Sequence, residues 1–361
     1  SLLQASRSGA CACWIRNSVD DALEAFQGLK DIFSSKEELD ENNVLLFHAR
    51  FAMGDRIDLE RMVLEHFGKH SEGKDRQGKV LIATQVVEQS LDLDFDLLIT
   101  DLAPIDLILQ RIGREHRHAH HVRPDGYSEP LCIIFTPYPT DECESNWFAG
   151  FFPRAQLIYP NHGQLWQTAK FIQDNPVLHF PEDSRRAIES VYGFEAAPFP
   201  ESLQQTADQA EGDGMAKSDM ALDNALSLQD GYRVTQSQWV EDTVSPTRLG
   251  EPTVTFRLGL YDQGHIKPWC KADTWTKAWG LSEIRIMAYR LCEVADPENK
   301  EGKEAREQAI ENMPDKGKFS VLLPLYATGK STWRGQGVDG KGEQVEIIYD
   351  SVQGLLFDKK E

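Results

Sequence analysis

Cations are the scarce component of this chain: 38 Lys and Arg stand against 58 Asp and Glu, a formal charge of -20 over 361 residues. A surface of that sign does not grip a polyanion everywhere, so any nucleic-acid contact is confined to a local groove. Cysteine is sparse too. The six, at positions 11, 13, 132, 143, 270 and 292, form no CxxC pair and no dense framework, which fits free thiols in a reducing compartment. No uninterrupted apolar run reaches membrane-spanning length and no signal-peptide pattern is read at the start, so the expected address is the cytoplasm, without a membrane partner. The chain opens at Ser1 and runs within a few residues into a strand-like segment, as a piece of a longer protein would. Two chemistries lack their signatures. A phosphate-cradling loop needs GxxxxGK[ST], and the nearest stretch, "PLYATGKST" at 324–332, has Pro324 where the first glycine belongs. No His-Asp dipeptide exists for a metal phosphohydrolase.

Apolar residues are plentiful enough for folded cores, at 40% of the chain with 17 Phe and 8 Trp. A chain this long suits two or three domains. "ACACWIR" (10–16), "NVLLFHA" (43–49), "KVLIAT" (79–84), "FDLLIT" (95–100) and "LCIIF" (131–135) read as buried strands. Between them "SVDDALEAFQGLK", "DRIDLERMVLEHFG" and "PIDLILQRIG" carry apolar residues at helical steps, with Ser18 and Asp55 as expected caps. Strands alternating with helices predict an α/β fold whose parallel sheet is covered on both faces and binds ligands beyond the carboxyl ends of its strands.

The pattern predicts three domains. An α/β lobe over 1–145 is followed by an acidic helical connector over 146–235, with helices near 182–193 and 200–229. A small β-rich domain fills 236–361, with strands in "PTVTFRLGLYDQGHIKPW", "KFSVLLPLY" and "QVEIIYD".

In "QRIGREHRH" (110–118), Gln110, Arg114 and Arg117 stand at i, i+4 and i+7, a spacing that projects all three from one helical face; Arg111 points elsewhere. Gly113 removes a side chain where a ligand or another backbone comes close. Guanidinium groups so placed suit the oxygens of a transferring phosphate, although a solvated basic helix end is the blander reading. "VLIATQVVEQSLDLDFD" (80–96) is a strand that ends abruptly in polar residues, among them Thr84, Gln85, Glu88, Gln89, Ser90 and Asp92. Thr84 suits a nucleic-acid phosphate, and Asp92 a ribose hydroxyl or an arginine. "HRHAHH" (116–121) has no obvious carboxylate or cysteine partner and reads as a basic loop leaving the arginine segment, with no metal site.

Taken in order, "RNSVDDA", "ATQVVEQSLD" and "QRIGREHR" resemble motifs IV, V and VI in the second RecA-like lobe of a superfamily 2 helicase. With "LFHARF" and the "HRH" after "QRIGR", the wording is similar to the CRISPR-associated helicase-nuclease that the Cascade complex recruits in type I systems, densely over 14–124. The resemblance implies an ATP-dependent, 3′ to 5′ translocase of single-stranded DNA that feeds an HD nuclease domain in defence against foreign DNA. By position it implies that Arg114 and Arg117 are the γ-phosphate arginines, that Ser90, Asp92, Gln110 and Gly113 line the nucleotide side, and that Asn17, Arg50 and Thr84 line the DNA side. ATP and Mg²⁺ would be held mainly by a first lobe, and the β-rich domain would cover the DNA channel. Glu115 departs from the apolar residue the resemblance leads one to expect, and pairing with a neighbouring arginine is its expected role. The alternative is a non-enzymatic RecA-like subunit that docks on DNA or on a partner protein.

Overall fold

The computed structural model describes residues 1–36, 39–88, 91–194, 196–223, 252–297, 299–329 and 331–358. The five apolar runs read from the first part of the sequence are strands: β1 (Ala12–Ile15), β2 (Val44–Phe47), β3 (Val80–Ala83), β4 (Leu97–Asp101) and β5 (Cys132–Phe135). They form one parallel sheet in the order β2-β3-β1-β4-β5. Side chains alternate between its faces. Ala12, Val44, Leu46, Val80, Ile82 and Leu97 pack on one side with Phe26 and Phe33 of the helix Val19–Ser34. Cys13, Ile15, Phe47, Leu81, Ala83 and Leu98 pack on the other with Val63 and Phe67 of the helix Met53–Phe67. Both faces are therefore covered, and each fully buried Phe contributes roughly 1.5–3 kcal/mol.

Ser18 caps its helix as expected, accepting a hydrogen bond from Asp21 N at 3.1 Å. Asp55 does not. Its helix starts two residues earlier, behind Ala52, and the Asp55 carboxylate is engaged by the second sheet instead.

That second sheet is built from β6 (Thr253–Asp262), β7 (His265–Pro268), β8 (Glu283–Met287), β9 (Glu293–Val294), β10 (Val321–Ala327), β11 (Thr332–Val338), β12 (Gln344–Asp350) and β13 (Gly354–Asp358). The order is β13-β12-β11-β10-β6-β7, with β8 on β6 and β9 on β11. β6 and β10 run parallel and the remaining pairs antiparallel. Strand β11, "TWRGQGV", carries almost no β signature. Its glycines are required by packing, since a Cβ on Gly337 would lie 2.3 Å from Leu291 Cδ1 and one on Gly335 would lie 2.9 Å from Pro324 O. "PLYATGKST" lies across the β10–β11 hairpin, where Thr328 N and Gly329 N both donate to Thr332 O. A strand-to-strand turn has no helix N-terminus to offer a phosphate.

The described residues divide into two compact units. One holds Ser1–Asp101, Gln110–Phe135 and Pro252–Glu361, so both sheets belong to it. The other holds Leu102–Leu109 and Thr136–Glu251. Its helices include His162–Asp174, Ser184–Tyr192 and Gln204–Asp223, and Phe171, Ala187 and Val191 pack with Ile105 in its core. The expected continuation of the last helix to 229 lies outside the described residues.

Candidate nucleotide and nucleic-acid site

Polar residues gather past the carboxyl ends of β1, β3 and β4. Asn17 follows β1, Glu88 follows β3, and Thr100 and Asp101 close β4. One side chain joins them. Arg111, fully buried near the end of the helix Ile105–Ile112, donates from Nε to Glu88 Oε1 at 2.7 Å and from one terminal nitrogen to Thr100 Oγ1 (2.6 Å), Asp101 O (3.0 Å) and Asn17 Oδ1 (3.3 Å). Asp101 in turn accepts from Arg16 Nε (2.9 Å) and Asn17 N (3.1 Å), while Gln85 Nε2 donates to Asn17 O (2.8 Å). Burial pushes the Asp101 carboxyl up, against the opposing pull of Arg16. The segment marked by the sequence as off the binding face is the hub of the strand ends.

The expected single helical face is corrected by the backbone. The helix stops at Ile112, so only Gln110 of the three residues stands on it. Arg114 N then donates to Arg111 O and Glu115 N to Ile112 O, tight three-residue closures that end the turn. The chain is next caught by the entry to β4: Phe95 N donates to Arg114 O and His116 N to Phe95 O, with His116 at a φ of 46°. Arg114 and Arg117 are thus presented by a turn. Arg114, half-buried, gives its guanidinium to the carbonyls of Leu91 and Glu88. Arg117 is exposed, pairing with Asp92 at 2.7 Å and bonding Gly113 O at 3.2 Å. Gln110 and Gly113 are exposed beside it in sequence, and Asp92 also bonds His118 at 3.0 Å. Ser90 and Gln89 lie outside the described residues.

Among the described residues Glu115 pairs with no arginine side chain, which overturns the expected pairing. Its Oε1 accepts from Leu131 N (2.7 Å) and Leu98 N (3.3 Å), tying the turn to β4 and to the approach of β5. Burial, only partly offset by these two N–H groups, pushes its carboxyl up to about 7.

The turn is held by an ionic cluster that sequence reading missed. Arg123 spans Asp94 (2.8 Å) and Asp96 (2.7 Å), and Arg76 reaches Asp96 (3.4 Å), Asp94 O (3.0 Å) and Cys11 Sγ (3.1 Å). His121 bonds Asp94, and His120 bonds Lys69 O at 2.8 Å. The available signal was the period-two "DLDFD" of 92–96, which puts Asp92, Asp94 and Asp96 on one side of the chain. Among the described residues no group of three His, Cys, Asp or Glu is placed to hold a metal ion.

The three DNA-side candidates are committed differently. Asn17 and Thr84 are 1% and 2% exposed. Arg50 pairs with Asp20 at 2.6 Å and follows β2 through His48, whose Nδ1 accepts from Arg50 N and whose Nε2 meets Gln353 O at 3.1 Å. The second sheet reaches the same strand end. Leu355 N donates to Arg50 O, Tyr349 OH accepts from Ala52 N and donates to Asp55 Oδ2, and Trp269 Nε1 donates to the same Asp55 oxygen.

Residues 8–120 match the model of the C-terminal region of the CRISPR-associated nuclease/helicase Cas3. The CRISPR-associated endonuclease/helicase Cas3 of Escherichia coli K12 is 38% identical over 222 residues, covering 61% of this chain and 22% of that protein. The crystal structure of T. fusca Cas3 with AMPPNP superposes with a TM-score of 0.71 at 24% identity over 99% of this chain and 40% of that one. A chain of a CRISPR RNA-guided surveillance complex in a pre-nicking state gives a TM-score of 0.65 at 25% identity, over 96% of this chain and 41% of that one. The chain thus spans about a fifth of that curated relative and about two fifths of the solved chains. Residues 8–120 are thus similar in sequence to the C-terminal region of Cas3, and the chain has the fold of the corresponding part of the solved Cas3 chains.

Proposed function

We propose that this chain works as the second helicase lobe, with its accessory β-rich part, of an ATP-dependent translocase that moves along single-stranded DNA from 3′ to 5′ in CRISPR interference. The observation that carries the reading is Arg117. Its guanidinium stands exposed, next to Asp92, on a turn whose backbone is held by Phe95 and Asp94 just ahead of β4. An arginine so presented suits the charge that develops on a transferring phosphate, and positioning it on an ion-paired turn lowers the cost of holding it there. Arg114 shares the role from a more enclosed position, exchanging its carbonyl partners for phosphate oxygens. Gln110, Gly113, Asp92 and Ser90 border the nucleotide. Arg50 bears on the DNA phosphates directly; Asn17 and Thr84, being buried, act through the strand-end loops that carry them.

The residues present fit one side of an ATP site. They supply cations for an anion, but the sequence has no GxxxxGK[ST], so the phosphate cradle and the Mg²⁺ position belong to a first lobe. That lobe, an HD nuclease domain and a Cascade-type surveillance complex are the partners the reading requires. The three-domain division, 1–145, 146–235 and 236–361, is retained here as a functional partition into lobe, connector and accessory domain.

The test is to combine the chain with a first lobe that carries a P-loop and to follow ATP hydrolysis with and without single-stranded DNA. DNA-stimulated turnover is expected in the mixture and negligible turnover from this chain alone. A nucleotide-binding first lobe that gains no turnover from the chain would overturn the reading and leave a non-enzymatic docking subunit.

A further inference from the structure

Asp20 is gripped by two arginines that are 240 residues apart in sequence. Arg50, at the end of β2, reaches its Oδ1 at 2.6 Å, and Arg290, just after β8, reaches its Oδ2 at 2.5 Å. Both guanidinium groups lie over the Phe357 ring, at 5.4 and 5.7 Å from its centroid. Arg290 Nε also donates to Tyr289 OH at 3.2 Å, and His48 beside Arg50 is held uncharged at neutral pH, pushed down to about 3 by burial and by the Arg50 charge. Two cations and one anion leave this cluster with a net positive charge in a chain of formal charge -20. The arginines also keep donors beyond those spent on Asp20, since a guanidinium carries five N–H groups.

Like charges are brought together on an apolar floor only at a cost, which a shared anion offsets. The carboxylate meets the pair with one oxygen on each guanidinium, which is the way two non-bridging oxygens of a phosphodiester would bridge them. The cluster sits past the carboxyl ends of β1 and β2, where parallel sheets take ligands. Asp20 is not stranded when displaced: it lies in the first turn of the helix Val19–Ser34, where the helix dipole favours a negative charge.

We propose that Arg50 and Arg290 form a binding site for a backbone phosphate of single-stranded nucleic acid, shared between the parallel-sheet lobe and the second sheet, and that Asp20 fills the site until a phosphate displaces it. Naming nucleic acid as the source of the phosphate rests on the translocase reading above. Exchange of one anion for another makes and breaks no covalent bond. It sets a threshold: a single phosphate competes poorly with a tethered carboxylate, whereas a strand held at neighbouring contacts supplies the phosphate at high local concentration.

The experiment is a titration of the whole chain, by fluorescence anisotropy, with a labelled single-stranded DNA of mixed sequence at several salt concentrations. Asp20→Asn removes the internal competitor and is expected to tighten binding roughly three- to tenfold, with a log–log salt slope steeper by about 0.7. Adding Arg290→Gln to that variant should return affinity to the unchanged chain's level or below. Arg290→Gln alone, which leaves Asp20 paired with Arg50, should weaken binding several-fold and serves if Asp20→Asn does not fold. Salt-dependent binding by the unchanged chain, with affinity unmoved by either single substitution, overturns the site and leaves the translocase reading standing. No binding by any of the chains overturns both.

Discussion

Arg111 and Glu88 form an ion pair of 2.7 Å with side chains 0% and 4% exposed, joining the end of the arginine-bearing helix to the turn after β3. Removing one partner strands a buried charge, and such losses typically cost about 3–5 kcal/mol. Arg111→Ala is therefore expected to destabilise the chain by about that amount, more than a change at either arginine of the turn, and Glu88→Gln by less because an amide still accepts from Nε. Urea denaturation of the three chains checks the order. Equal stability of Arg111→Ala and the unchanged chain would show that the pair is not what holds the strand ends.

Arg117 and Arg114 should separate in their effects. Arg117→Ala breaks an exposed pair worth about 1 kcal/mol or less, so stability should hardly move, while turnover in the two-lobe mixture falls by roughly 10³. Arg114→Ala leaves the carbonyls of Leu91 and Glu88 without their guanidinium and should cost about 1–3 kcal/mol as well as turnover. Steady-state ATPase beside thermal unfolding distinguishes the two; the reverse pattern would mean that Arg114 is the residue presented to phosphate.

Tyr349 is fully buried and ties β12 to the helix Met53–Phe67 through Asp55 Oδ2 at 2.5 Å and Ala52 N at 2.9 Å. Tyr349→Phe keeps the ring and deletes the hydroxyl, leaving Ala52 N–H unpaired. A loss of about 1–3 kcal/mol is expected by denaturant unfolding. Asp55→Asn should lose part of the same energy, and the double variant less than the sum, because both substitutions break one hydrogen bond.

Glu115 gives a pH dependence of definite sign. Burial raises its carboxyl from the ordinary 4.5 to about 7 in the folded chain, so the folded state holds a proton that the unfolded state releases. Its contribution is fully present below about pH 4.5 and is lost as pH rises through about 7. Glu115→Gln keeps an acceptor for Leu98 N and Leu131 N without the titration. The difference in unfolding free energy between the two chains, measured from pH 5 to 8, should shift in favour of the variant as pH rises. A constant difference would mean that Glu115 is not raised.

The parallel sheet was legible because each of its strands is a short apolar run bounded by polar residues, a signal carried within a few neighbours, and Ser18 was legible because a cap acts three residues away. Strands β8, β9, β11 and β13 were not read, since short or glycine-bearing segments such as "TWRGQGV" owe their extended form to partners across the sheet. The same division runs through the site. Sequence by itself determined that Asp92 and Arg50 would follow strands, because chain order places them there. Only the tertiary structure decided what each side chain touches: that the helix stops at Ile112 where β4 captures the backbone, that Glu115 serves two backbone N–H groups, that Asp55 turns to Tyr349 and Trp269, and that Arg50 shares Asp20 with Arg290. Those choices depend on desolvated hydrogen bonds between residues far apart in the chain, and a local pattern of residue types carries no record of which distant donor arrives.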